Sequence, residues 1–172
     1  MTDQDIELEH IYLEVKAERW HHIERFLFSY YCYKCGYVTK GGKPDWEEAR
    51  RSVTRSVKFT QLSDSVLEPI VPLEVIIGEI KRYWRDGELT PATLQRIIDC
   101  LLDYVAITQQ ELRALKKAGL QNAMPASWYQ GKEREPLARF NAKVFIECAT
   151  NLTMATLVQI KGNIVIPIKG TC

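Results

Sequence analysis

Apolar side chains recur at steps of three and four residues through Trp20, Ile23, Leu27 and Tyr30/Tyr31. That spacing lines up one face of a helix and predicts a mainly helical stretch over 4–33. Its beginning reads two ways. Leu8, Ile11 and Val15 fit a helix, whereas Ile11, Leu13 and Val15 alternate as a strand would; the many glutamates favour the helix. Gly36, Gly41, Gly42 and Pro44 punctuate a loop over 34–44. Asp45 then offers an N-cap, with Glu48 three residues on. The helix predicted to follow, about 46–60, carries Ala49, Val53 and Val57 on one side and Arg51, Arg55 and Lys58 on another.

A second connection over 60–71 ends at Pro69 and Pro72, and Pro72 suits the first turn of a helix running to about Asp86, closed by Gly87. Thr90-Pro91 opens the next helix. Leu94, Ile97, Ile98, Leu101, Leu102 and Val105 give it the broad apolar face of a buried central helix. Thr108 and Glu111 form a capping box for a short helix with Leu112 and Leu115, stopped by Gly119. Residues 120–133 read as irregular and 134–143 as a short helix. From residue 144 the period changes to two. Leu157–Ile160 and Ile164–Ile168 flank Lys161-Gly162-Asn163, a hairpin signal with Pro167 placing its strand at an edge. The expected fold is mostly α: a compact bundle of five or six helices with a small C-terminal antiparallel β-hairpin or sheet, α+β if the sheet is larger. A sheet that small does not fold alone. One domain is therefore expected over 1–172, helical to about 143 with its β element at about 144–169.

Composition agrees with a globular chain, since 46% of the 172 residues are hydrophobic and 17 are aromatic, ample apolar area for a core. The net charge of +1 conceals two blocks: residues 1–25 sum to −4 and residues 30–60 to +4. Such blocks can pair within the fold, pair between subunits, or leave a basic face for an anionic partner. The acidic, polar start lacks the basic and apolar regions of a secretory signal. No window approaches the ~18–20 apolar residues of a membrane helix. The expectation is a cytoplasmic protein without membrane association, whose five cysteines are reduced thiols or metal ligands.

Cys32-Tyr-Lys-Cys35-Gly36 is the one stretch with the look of a metal motif, one arm of a zinc knuckle. A closed zinc site needs four ligands at about 2.0–2.3 Å, usually from two such arms. Cys100, Cys148 and Cys172 are single and far apart. Zinc at Cys32 and Cys35 would therefore need one of these brought in by the fold, or a second pair from a dimer partner. The alternative is two thiols packed as small hydrophobes. The same region interleaves tyrosines with cations. Tyr33, Lys34, Arg51, Arg55 and Lys58 are candidates for stacking bases and holding phosphates. The near-neutral overall charge speaks against a dedicated nucleic-acid binder. Asp99 and Asp103, four apart, read as solvated carboxylates, and His21-His22 as a surface pair. No phosphate loop, nucleophile elbow or His-Glu-x-x-His is present. The expected function is a non-enzymatic interaction or regulatory module working through a protein interface, as a homodimer. The alternative is a nucleic-acid-binding protein using segment 30–58, zinc-stabilised through Cys32 and Cys35.

Overall fold

The computed structural model describes residues 1–56, 58–131 and 134–140. Among these the chain is mostly helical, with seven α-helices and one two-stranded antiparallel sheet. Helix α1 (Asp3–Lys16) starts at a reciprocal capping box: Asp5 N–H donates to Thr2 Oγ1 (3.2 Å), and Thr2 N–H donates to Asp5 Oδ2 (2.7 Å). The glutamates thus report the start correctly as helix, not strand. The stretch over 4–33 is nevertheless not one helix. Glu18 takes a left-handed backbone (φ 53°), a 3-10 turn covers Trp20–His22, and α2 (Ile23–Cys35) turns back along α1. Gln4 Nε2 donates to Tyr30 Oη across the pair at 2.9 Å.

Gly36 ends α2 with φ 75°, a conformation that costs a residue with a Cβ. Asp45 caps α3 (Trp46–Ser52), accepting from the backbone of Glu47 and Glu48. The helix expected over about 46–60 stops at Ser52. Beyond it the β-branched Val53 and Thr54 are extended, and the backbone of 54–56 bonds to Ala106. The connection expected over 60–71 contains strand β1 (Ser65–Pro69). The long central helix is α5 (Pro91–Leu101) only, and Val105 belongs to strand β2 (Tyr104–Thr108).

The strands pair antiparallel, with Leu67 opposite Ala106 and Glu68 opposite Val105. Ala106 N–H donates to Thr54 O and Ala106 O accepts from Ser56 N–H, both at 2.9 Å. Strand β2 is therefore flanked on both edges, and all five of its residues are buried. Its two faces feed two apolar layers. Leu67, Tyr104 and Ala106 join the main core with Ile11, Leu27, Ile80, Leu94 and Ile98. Val105 and Ile107 join Ile70 and Leu115 in a second layer, under α6 (Gln109–Lys117).

Helix α4 (Leu73–Arg85) packs on α5, and α5 on α1. Pro72 precedes α4 as its cap residue instead of occupying its first turn. Both halves of the Thr108–Glu111 capping box form. The stretch read as irregular holds the five-residue α7 (Ala126–Gln130), and a 3-10 turn spans Pro136–Arg139 where a short helix was expected. The C-terminal hairpin, Cys148 and Cys172 lie outside the described residues. No helix among the described residues is long and apolar enough to cross a membrane.

Candidate functional site

The last turn of α2, the loop 36–44 and the cap of α3 gather the residues with the most chemical potential. Cys32 and Cys35 lie on one helix, three residues apart. Gly36 serves as the helix cap, with Tyr37 N–H donating to Cys32 O (2.8 Å), and does not form a knuckle turn around the sulfurs. Cys32 is completely buried, and desolvation pushes its thiol up to about 12. Cys35 is exposed, yet desolvation, joined by the nearby Asp103 charge, raises its pKa against the opposing hydrogen bond from Tyr31. Zinc ligation requires thiolates, and this setting favours protonated thiols. Among the described residues no group of three or more His, Cys, Asp or Glu side chains could hold a metal ion.

One consequence can be measured directly. Alkylation of the native chain near neutral pH is expected to label Cys35, more slowly than an unstructured cysteine, and to spare Cys32 until the chain unfolds. Equimolar zinc is expected to leave Cys35 labelling unchanged. Mass spectrometry of the labelled peptides reads both results, and zinc protection would mean that Cys148 or Cys172 completes a site.

The tyrosines of α2 have carboxylate partners that lie far away in sequence. Tyr30 Oη donates to Asp99 Oδ1 at 2.9 Å, and Tyr31 Oη donates to Asp103 Oδ1 at 3.2 Å. Asp103 Oδ1 also accepts from Tyr104 N–H. The two aspartates are therefore not a free pair on one helix: α5 ends between them, and each fastens α2 to the end of α5 or the start of β2.

Of the five candidate nucleic-acid residues, Lys34 is bound to Asp99 at 2.6 Å and Tyr33 Oη donates to Gly42 O at 3.3 Å. Arg51 is exposed at the far end of α3. Arg55 donates to Arg51 O and lies 4.7 Å over the Phe59 ring. Lys58 is half-buried. In the chain, Tyr33 and Lys34 belong to the last turn of α2, Arg51 to the last turn of α3, and Arg55 and Lys58 to the segment after α3.

The buried carboxylates are likewise engaged. Glu14 pairs with Arg19, and Glu68 with Arg139. Glu111 accepts from Ser56, from the Thr108 hydroxyl and from Thr108 N–H. His21 and His22 pack against each other in the 3-10 turn with their rings tilted by 53° and ring centres 4.2 Å apart.

What periodicity did not single out is the outer surface beside this region. A cleft of about 340 Å³ opens where the start of α1 meets the end of α2, lined by Thr2, Asp3, Gln4, Tyr33 and Val38 among others. Ile6, Leu13 and Val38 are exposed here and along α1, and Trp46 is exposed at the start of α3. In comparisons with known proteins, no family model, no curated protein and no solved structure matches this chain.

Proposed function

We propose that this chain is a non-enzymatic interaction or regulatory protein of the cytoplasm that acts through a protein interface. The observation that carries this reading is the outer face of α1. Ile6 and Leu13 stand a heptad apart on it and remain exposed, Leu13 at 56%, although the fold has a packed core that buries the helix's other side. A lone exposed leucine means little. Two on one helix face, beside exposed Val38 and a cleft, form a surface suited to a protein partner. Among the described residues the buried Glu14, Glu68 and Glu111 are held in structural hydrogen bonds. The neutralisation of Lys34 by Asp99 weakens the nucleic-acid alternative.

Sedimentation equilibrium of the full chain in reductant, alone and with a single-stranded oligonucleotide, tests the reading. A defined association that ignores the oligonucleotide is expected. Oligonucleotide binding that falls steeply between about 50 and 200 mM salt, and is lost when Arg51, Arg55 and Lys58 are replaced by glutamine, would replace it with the nucleic-acid reading.

A further inference from the structure

Resting on that interface reading for its consequence alone, we infer that Cys32 and Cys35 form a dithiol switch: oxidised by a small-molecule disulfide, they join to each other and draw in the wall of the cleft beside α1. The pair occupies the last turn of α2, with Cys35 as its final helical residue and Gly36 as its left-handed cap. Positions three apart on a helix share a face, with Cβ atoms about 5–6 Å apart. A disulfide brings them to about 3.5–4.5 Å. The last turn therefore has to tighten by about 1–2 Å. In the middle of a helix the turns on both sides would resist. Here the chain beyond Gly36 is loop, tied back only by Tyr37 N–H to Cys32 O (2.8 Å) and Gly36 N–H to Tyr33 O (3.4 Å).

Access sets the order of events. Cys35 is exposed and Cys32 is completely buried. The Cys35 thiolate attacks one sulfur of glutathione disulfide. A mixed disulfide forms, and glutathione leaves as a thiolate that takes up the proton Cys35 gave away. Cys32 then loses its proton and attacks Cys35 Sγ from within the chain. The second glutathione leaves and takes that proton. Two protein thiols become one disulfide, and glutathione disulfide is reduced to two glutathione molecules. Burial holds both thiols protonated, which slows the first attack. It does not oppose the product, because the reduced pair has no stabilised thiolate to give up.

The two residues between the cysteines decide what the switch moves. Tyr33 lines the cleft of about 340 Å³ and donates to Gly42 O at 3.3 Å. Lys34 pairs with Asp99 at 2.6 Å. Gly36, one residue beyond the pair, also lines the cleft. Tightening this turn shifts all three, so a partner seated in the cleft meets a different wall in the oxidised chain.

The test treats the native full chain with glutathione disulfide at mildly alkaline pH, blocks remaining thiols with N-ethylmaleimide, and digests with trypsin. Cleavage after Arg25, Lys34 and Lys40 puts the two cysteines on separate peptides, 26–34 and 35–40. These peptides are expected to stay joined until reductant is added. Cys32→Ser should stop at the mixed disulfide of Cys35 with glutathione, and Cys35→Ser should leave Cys32 unmodified in the folded chain. Amide NMR shifts of Tyr33, Gly36 and Gly42 should differ between the oxidised and reduced chain, while those of Glu111 and Leu115 in α6 stay in place. A mixed disulfide that persists at Cys35 of the wild-type chain would overturn the pairing, as would joined peptides that appear only after unfolding. A disulfide that leaves the Tyr33, Gly36 and Gly42 shifts unchanged would overturn its action on the cleft. Sedimentation equilibrium of both forms separates this switch from the interface reading. A difference in association between the two forms is expected, whereas no association in either would sink the interface reading and leave the disulfide and its shifts standing.

Discussion

Replacing Arg139 with methionine is expected to lower the free energy of unfolding by about 3–5 kcal/mol, the range for leaving one member of a buried ion pair unpartnered. Arg139 is completely buried. Its guanidinium uses all five of its N–H groups. Nε donates to Ile70 O (2.9 Å), Nη1 to Leu120 O (3.0 Å) and Gln121 O (3.2 Å), and Nη2 to Glu68 Oε1 (2.8 Å) and Pro69 O. One side chain thus joins the end of β1, the segment after it, the turn after α6 and the 3-10 turn over Pro136–Arg139. Burial raises the pKa of Glu68 and lowers that of Arg139 against their mutual attraction, so desolvation is the larger effect on both. The pair is costly to form and more costly to break.

Urea denaturation of Arg139→Met, Glu68→Gln and the double variant separates the contributions. The double variant should be destabilised by less than the sum of the singles, because it no longer strands a charge. Arg139→Lys should recover only part of the loss, since an ammonium has three donors where five acceptors wait. A loss below about 1 kcal/mol for Arg139→Met would be that of an ordinary single hydrogen bond. It would show that the 3-10 turn is not docked on the sheet in solution.

The difference between what the residues foretold and what the chain builds follows from how far each signal reaches. Thr90, Asp45 and the Thr108–Glu111 box announce helix starts because capping is settled within four residues. Gly36 and Gly87 announce ends for the same reason, and both have positive φ. The break between α1 and α2 has no such signal. Glu18 is neither glycine nor asparagine, and its left-handed backbone is fixed by the two helices packing against each other. Strand β2 was hidden differently. It is buried on both faces, so Tyr104-Val-Ala-Ile-Thr108 is a continuous apolar run, and Val105 happens to extend the helical spacing of α5.

The polar contacts that matter most were least legible. Tyr30 and Asp99 are 69 residues apart, as are Arg139 and Ile70. Arg139 in Leu-Ala-Arg-Phe looks like a surface residue until the four carbonyls converge. The Cys32/Cys35 spacing was legible but ambiguous, because a pair three apart suits a zinc knuckle and a helix end equally.

Above pH 10 the fold is expected to lose stability steeply, through the aromatic layer between α2 and β2. Tyr30 is buried and bonded to Asp99, and desolvation pushes its hydroxyl up to about 12; Cys32, buried on the same helix, is also pushed up to about 12. Burial raises Tyr31 and Tyr104 in the same direction, with their rings 4.8 Å apart. All four are neutral when protonated. The folded chain therefore holds protons that the unfolded chain releases from ordinary values of 10.0 for the tyrosines and 9.0 for Cys32. The contribution of Tyr30 to stability is fully present below pH 10 and that of Cys32 below pH 9, and both are lost as pH rises through about 12. Tyr30 alone accounts for about 2–3 kcal/mol of that loss, against a typical total stability of ~5–15 kcal/mol. Tyrosinate absorbance and far-UV circular dichroism, followed together during an alkaline titration, should change in one coincident step. Tyr30→Phe should cost about 1 kcal/mol at neutral pH, through its lost hydrogen bonds, yet move the alkaline midpoint upward, because one fewer hydroxyl must ionise. Tyrosines that all ionise near pH 10 while the helices persist would mean that this layer is solvated, and with it that α2 is not seated on β2 in solution.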